Sequence, residues 1–330
     1  MVSFSRVWWV GDSQPPHRTL RLLLSRAVLA LTVWATVLLG TGVAGAEQQT
    51  LVIAIQPTAT PEQLSAQATE LEQFLEAQLP GVDVQLKFPT SYAGVVESLR
   101  FGHAQAAFMS AWPAVLAHQH AGADVVLAEV REVTVDEIKT EAPSYYSYWI
   151  VRKDSLAANL RGLQGKRVAF PSQLSTSGYV APLAKLVELG LVSHKDGPAD
   201  PKELFGEVLF AGGYAQAWEA LKAGQVDVTV IAGDVPESLY REVLANTRVL
   251  AKQGPIPSHA VVFSKDLKEP LRTQLVNALL QLSDPARRGL MRKFVSGIFV
   301  RFAPATTEQH LGTLNRLLEL TGLEYTEKTR

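Results

Sequence analysis

Apolar and polar positions follow two rhythms along this chain, and their succession predicts its elements. Residues 50–56 (TLVIAIQ) form an unbroken apolar run, as in a strand of a parallel sheet covered on both faces. Leu64, Ala68, Leu71, Phe74 and Leu75 then recur at three- and four-residue steps. That period predicts a helix over 62–78, which Pro80-Gly81 ends. Residues 82–88 (VDVQLKF) alternate as a second strand. Strand, helix and strand in this spacing make a βαβ unit.

The same alternation continues. A helix over 93–101 follows Ser91-Tyr92, 105–109 reads as a short strand, and Ser110-Ala111-Trp112-Pro113 opens another helix. A strand over 125–133 gives way at 136–144 to polar residues, read as a link to a second lobe. Residues 145–152 (YYSYWIVR) resume as an aromatic strand. Strands are expected at 168–170, 208–210, 226–231 and 260–263, with helices over 180–189 and 215–223. Asp234-Val235-Pro236 begins another helix, and the remainder reads as helical over 267–282, 285–294 and 306–320. The expected fold is α/β: two doubly wound lobes with a ligand cleft between them. Lobe 1 comprises 47–135 plus 258–330, and lobe 2 comprises 136–257. Ligands of open α/β sheets sit beyond the carboxyl ends of strands, where Ser91-Tyr92, Ser175–Ser177 and Asp234 fall.

Residues 1–46 read differently. Arg18, Arg21 and Arg26 precede an apolar stretch, 27–40, and Ala44-Gly45-Ala46 fits a small-x-small cleavage pattern. This predicts a signal peptide and a protein exported to the periplasm. A membrane anchor fits less well, because the last third is rich in Gly, Thr and Ala and no basic cluster follows. Cleavage leaves 284 of the 330 residues, with 27 basic against 31 acidic side chains, about −4 in net charge. That balance offers no field for nucleic acid or an anionic membrane, and no stable membrane insertion is expected after cleavage. The chain has no cysteine, which excludes disulfides, thiolate chemistry and a lipid-modified N-terminus.

The strongest local chemistry lies at 168–190, VAFPSQLSTSGYVAPLAKLVELG. A strand ends at Pro171, three hydroxyls follow (Ser175, Thr176, Ser177), and a helix begins. A helix start presents free N–H groups and a favourable dipole to an anion. A plain N-cap also uses Ser or Thr, and both readings stand. No glycine precedes any of the hydroxyls by two residues, so the G-x-S-x-G nucleophile elbow is absent, and no enzyme activity or cofactor is expected. His103, His118, His120, His194 and His259 show no helical metal spacing. Tyr92 and Tyr145 are placed to offer hydroxyls to a cleft, whereas Tyr146 and Trp149 are expected in the core. Asp234 is either an N-cap or a partner for a ligand cation or for a proton on an anion.

Four stretches carry a family likeness: SYAGVVESLRFGHAQAAF (91–108), YYSYWIVRKDS (145–155), the segment through VAFPSQLSTSGYVAP (163–182), and GGYAQAWEALKAGQVDVTVI (212–231). The chain resembles the periplasmic substrate-binding proteins of phosphonate, phosphite and phosphate ABC importers. The resemblance implies a periplasmic-binding-protein-like fold, a small oxyanion ligand, an ABC permease as partner, and a hinge that closes over the ligand. It places Ser175, Thr176 and Ser177 on the phosphonate group, with Tyr92 and Tyr145 from either side of the cleft. Tyr214 stands where the family often has His, Asp234 where aminoalkylphosphonate binders have Glu, and His259 where a later acid is found. Losing an acid favours a small or uncharged substituent, as in phosphite, phosphate or methylphosphonate. The alternatives are a different small ligand or delivery to a sensor kinase.

Overall fold

The computed structural model describes residues 49–135, 138–293, 295–312 and 314–324; the expected signal peptide lies outside them. Among the described residues, twelve strands form two sheets. The first contains β1 (Gln49–Ile55), β2 (Val82–Lys87), β3 (Ala106–Met109), β4 (Asp124–Val135), β5 (Ile138–Ala142), β11 (Ala260–Phe263) and β12 (Phe299–Pro304). The second contains β6 (Ser144–Arg152), β7 (Arg167–Phe170), β8 (Glu207–Phe210), β9 (Val228–Ala232) and β10 (Thr247–Pro257). The chain crosses to the second sheet after β5 and returns between β10 and β11.

Strand order in the first sheet is β12-β4-β11-β3-β1-β2, with β5 paired to β4. In the second it is β10-β6-β9-β7-β8. Both sheets are mixed: β1 runs parallel to β2 and β3, and β7 runs parallel to β8 and β9. The α-helices are α1 (Pro61–Gln78), α2 (Tyr92–Arg100), α3 (Ala111–Ala121), α4 (Ala181–Glu188), α5 (Tyr214–Lys222), α6 (Glu237–Asn246), α7 (Leu271–Leu280), α8 (Arg288–Arg292), α9 (Thr307–Leu311) and α10 (Leu314–Thr321). The chain is thus built of two α/β lobes. No described helix is long and apolar enough to cross a membrane.

Hydrophobic cover on both sheet faces explains the continuous apolar strands. On β1, Leu51, Ile53 and Ile55 join a core with Leu64, Leu71 and Leu75 of α1 and Leu275 and Leu279 of α7. Ala54, between them, faces the other way, into a core with Val95 and Leu99 of α2 and Leu116 of α3. Each fully buried aliphatic side chain contributes roughly 1.5–3 kcal/mol. Trp149, Phe170 and Phe205 anchor the second lobe, with Phe170 edge-on to Trp149 at 5.6 Å.

The structure corrects several expectations. Residues 138–142 are a strand, not a linker; β5 pairs antiparallel with β4 at the sheet edge. Its exposed Lys139, Thr140 and Glu141 carry no apolar period, and charged edges are common because they discourage further pairing. Strand β12 lies between two of the expected helices, 285–294 and 306–320, in a stretch for which no strand was expected. Tyr146 lies half-buried beneath Lys252, 3.7 Å from the ring centroid, rather than in the core; alternation along β6 sends Tyr145 inward and its neighbour outward.

Candidate functional site

Strand direction assembles this site. Because β7, β8 and β9 run parallel, the loops at their carboxyl ends share one sheet edge. Those loops carry Ser175–Ser177, Tyr214 and Asp234. Strand β6 is antiparallel to β9, with Ser147 opposite Ala232, so two residues on, Tyr145 comes level with Asp234. The first sheet does the same. The carboxyl ends of β1 and β3 carry Gln56 and Ser110, and β11 pairs Ala260 with Met109 on one side and Ala128 on the other. His259 therefore sits beside Glu129, whose backbone N–H donates to the His259 carbonyl at 2.9 Å.

All eight expected site residues are buried, yet the three consecutive hydroxyls do three different things. Ser175 Oγ accepts from the Gly178 N–H at 2.9 Å, the N-cap role. Thr176 Oγ1 accepts from the Trp112 N–H at 2.8 Å and so ties the second lobe to the start of α3. Ser177 Oγ donates to Asp234 Oδ2 at 2.7 Å and lies 2.7 Å from the Tyr214 hydroxyl. Ser175 and Thr176 accept these bonds with their oxygens and keep their own protons to donate.

The helix start is also wider than expected. Residues Thr176–Val180 form a π-helical turn before α4. Pro182 has no N–H to give to the Gly178 carbonyl, and a widened turn accommodates that loss. Gly178 is required by space: a Cβ would lie 2.6 Å from Ser175 Oγ and 2.7 Å from Pro171 Cγ. Behind the turn, Phe170 packs edge-on against Tyr179 at 5.1 Å, which fixes the loop to the second-lobe core.

Asp234 is the centre of the cluster. It is not an N-cap, since α6 begins at Glu237 behind Pro236. Its Oδ2 accepts from Ser177 Oγ, from the Tyr145 hydroxyl at 3.0 Å and from His259 Nε2 at 3.1 Å. Burial alone would raise its pKa, but the His259 hydrogen bond and charge, the Arg131 charge and the Ser177 hydroxyl hold it down at about 2. Tyr92, Tyr145 and Tyr214 are all pushed up, first by burial and then by the nearby Asp234 charge. They remain hydroxyl donors across the physiological range.

Four participants were not foreseen. Gln56 Oε1 accepts from Ser110 N–H at 3.0 Å and from Ser110 Oγ at 2.9 Å. Arg131 and Glu129 pair at 2.7 Å with both side chains fully enclosed, and Arg131 stacks 3.8 Å from the Tyr145 ring centroid. Their signal was present in AEVREV: charges two apart on an apolar strand share a face. Among the described residues, Tyr92 Oη, Gln56 Nε2, Asp234 Oδ1 and His259 Nδ1 have no hydrogen-bond partner. Such buried groups are costly to leave unpaired. A cavity of about 540 Å³ lies nearby at the lobe edge, over Thr60, Gln63, Ala215, Gln216 and Pro236, but none of the clustered side chains lines it.

Residues 53–310 match the family described as the periplasmic substrate-binding protein of phosphonate ABC transporters. The chain belongs to this family. It is 32% identical over 182 residues to the phosphate-import protein PhnD of Mycolicibacterium smegmatis, 54% of each chain. The match thus spans about half the length of that relative. Two solved structures share the fold. A binding protein component of an ABC phosphonate transporter from Pseudomonas aeruginosa aligns with a TM-score of 0.69 and 19% identity, over 84% of this chain and 87% of that one. PhnD1 from Prochlorococcus marinus in complex with methylphosphonate aligns with a TM-score of 0.65 and 16% identity, over 83% and 98%.

Proposed function

We propose that this protein is a periplasmic solute-binding protein that captures a small phosphorus oxyanion and delivers it to an ABC permease, without catalysis. The observation that carries the reading is the convergence of Ser177, Tyr145 and His259 on Asp234, with the unpartnered Tyr92 hydroxyl close by. Ser175 and Thr176, next to Ser177 on the same turn, keep protons to donate, and Tyr214 adds another hydroxyl 2.7 Å from Ser177 Oγ. Neutral hydroxyl donors in a dry setting suit a tetrahedral oxyanion with several acceptor atoms. Three donors already hold Asp234 Oδ2, and Glu129 is paired with Arg131, so the cluster offers little to an ammonium group. A small substituent, as in phosphite, phosphate or methylphosphonate, fits that composition. The signal-peptide pattern supports export, and the absence of cysteine supports a protein free of a lipid anchor.

Isothermal titration of the purified protein with phosphite, methylphosphonate, phosphate and 2-aminoethylphosphonate tests this. One of the first three is expected to bind best. Ser177→Ala should weaken that ligand by about 1–3 kcal/mol, the worth of one charge-assisted hydrogen bond. Binding by none of the four would overturn the reading.

A further inference from the structure

We infer that residues 296–298, a first-lobe loop outside the ligand cluster, position Asp234 by clasping its peptide from behind. The inference rests on the phosphorus-oxyanion reading above and adds the element that holds the backbone of the site's acid in place.

The loop is built into the first lobe. It joins α8 to β12, and Met291 and Val295 before it lie in the first-lobe core. The Ser296 N–H donates to the Met291 carbonyl at 3.1 Å, and the Glu132 N–H on β4 donates to the Ile298 carbonyl at 2.9 Å. Asp234 belongs to the second lobe, two residues beyond the end of β9 at Ala232. Yet the first-lobe loop grips it on both sides. Ser296 Oγ donates to the Gly233 carbonyl at 3.2 Å, and the Gly297 N–H donates to the Val235 carbonyl at 2.6 Å. Ser296 is fully buried, and buried carbonyls that lose a partner have no water to replace it.

Shape adds to these bonds. Gly233 has no positive φ, so what it provides there is room. A Cβ on Gly233 would lie 2.3 Å from Ile298 Cδ1 and 2.4 Å from Ile298 Cγ1. Ile298 thus sits directly over the Gly233 backbone, and its side chain packs against the second-lobe core. Ser177, Tyr145 and His259 decide where the carboxylate points; the clasp decides where its Cα stands. Hydrogen bonds weaken steeply with misalignment, so a displaced peptide takes Asp234 Oδ2 out of line with all three donors together. The chain itself passes between the lobes at 142–144 and at 257–260, where the Ser258 N–H donates to the Pro143 carbonyl at 3.1 Å. Tyr145 and His259 stand beside those passages. The clasp is a third, non-covalent crossing, and it makes Asp234 part of the pivot rather than of a moving jaw.

Calorimetric affinities for whichever of phosphite, phosphate and methylphosphonate the wild type binds best, with a thermal melt of each variant, test this. Gly233→Ala should weaken binding about tenfold or more, because the added methyl drives Ile298 and the Asp234 peptide apart. Ile298→Ala leaves the backbone bonds in place and should cost less than about threefold. Gly233→Ala combined with Ile298→Ala should return to within about threefold of Ile298→Ala, since the shortened side chain vacates the space the methyl needs. Ser296→Ala removes one bond without a clash and should weaken binding about three- to tenfold. A folded Gly233→Ala protein with wild-type affinity overturns the inference, as does a double variant as weak as Gly233→Ala. If Gly233→Ala does not fold, Ser296→Ala decides. A lower melting temperature with unchanged affinity would make the loop a structural contact only and overturn the inference. If the wild type binds none of the three ligands, the proposed function fails; binding that ignores the clasp variants removes the inference alone.

Discussion

Strand β9 has an aspartate at each end, and the two live in opposite worlds. Asp227, at the amino end, is partly exposed. It grips Arg167 through two hydrogen bonds of 3.0 and 3.1 Å and also accepts the Arg167 backbone N–H at 3.0 Å. Asp234, at the carboxyl end, is fully buried and held by a serine, a tyrosine and a histidine, with one oxygen unpartnered. Both carboxyls are held below their ordinary value. For Asp227 the first cause is the Arg167 hydrogen bond, whereas Asp234 is held down against a burial penalty that points the other way. A complete bidentate pair fastens one strand to its neighbour. An incomplete, buried constellation at the other edge is where an α/β sheet keeps its ligands.

The sharpest break in this contrast lies one layer behind Asp234. Glu129→Ala would leave Arg131 buried without its partner, and loss of one member of such a pair costs about 3–5 kcal/mol. Urea denaturation should register that loss, while Asp227→Ala should give a clearly smaller one. Equal losses would mean that the buried pair has no special standing.

Acid should separate the two ends next. The pKa of Asp234 drops from 3.8 to about 2 on folding. A depressed folded pKa stabilises above the unfolded value, and that contribution disappears as pH falls through the folded one. The stability gap between wild type and Asp234→Asn should therefore shrink by on the order of 2 kcal/mol between about pH 4 and about pH 2. A gap that stays constant across this window would contradict the assigned charge state. The smallest effect belongs to Asp227→Asn. Its deficit should fade in about 1 M salt, where the screening length is about 3 Å, while the Glu129→Ala deficit should persist.

Much of this arrangement was legible in the sequence, and the reason is local. Leu64 to Leu75, with a three- and four-residue period, and the unbroken run on β1 declare helix and strand without knowledge of any partner. Tyr92, Ser175–Ser177, Tyr214 and Asp234 were findable because they follow strands, where α/β sheets collect polar side chains. What escaped depends on pairing between distant residues. The edge strand β5 has no buried face to impose a period, and β12 follows a run of short helices that masks it. Gln56, Glu129 and Arg131 become site neighbours only through the register of β1, β3, β4 and β11. The division of labour among Ser175, Thr176 and Ser177 is likewise invisible, because it is set by Trp112 on another lobe and by the turn geometry that Pro182 imposes. Asp234 showed the two readings of a helix-proximal acid, and only the position of Pro236 decides against the cap.

The bond from the Trp112 N–H to Thr176 has one more consequence, and it is optical. Of the tryptophans in the described residues, Trp149 is sealed in the second-lobe core, and Trp218 donates to Glu242 on that same lobe. Trp112 alone among these has its own backbone anchored across to the opposite lobe, with its side chain 5% exposed. Any parting of the lobes must break that bond at the residue that carries the indole, so its emission is expected to follow the jaw. The molecule carries its own gauge of closure, readable without a label.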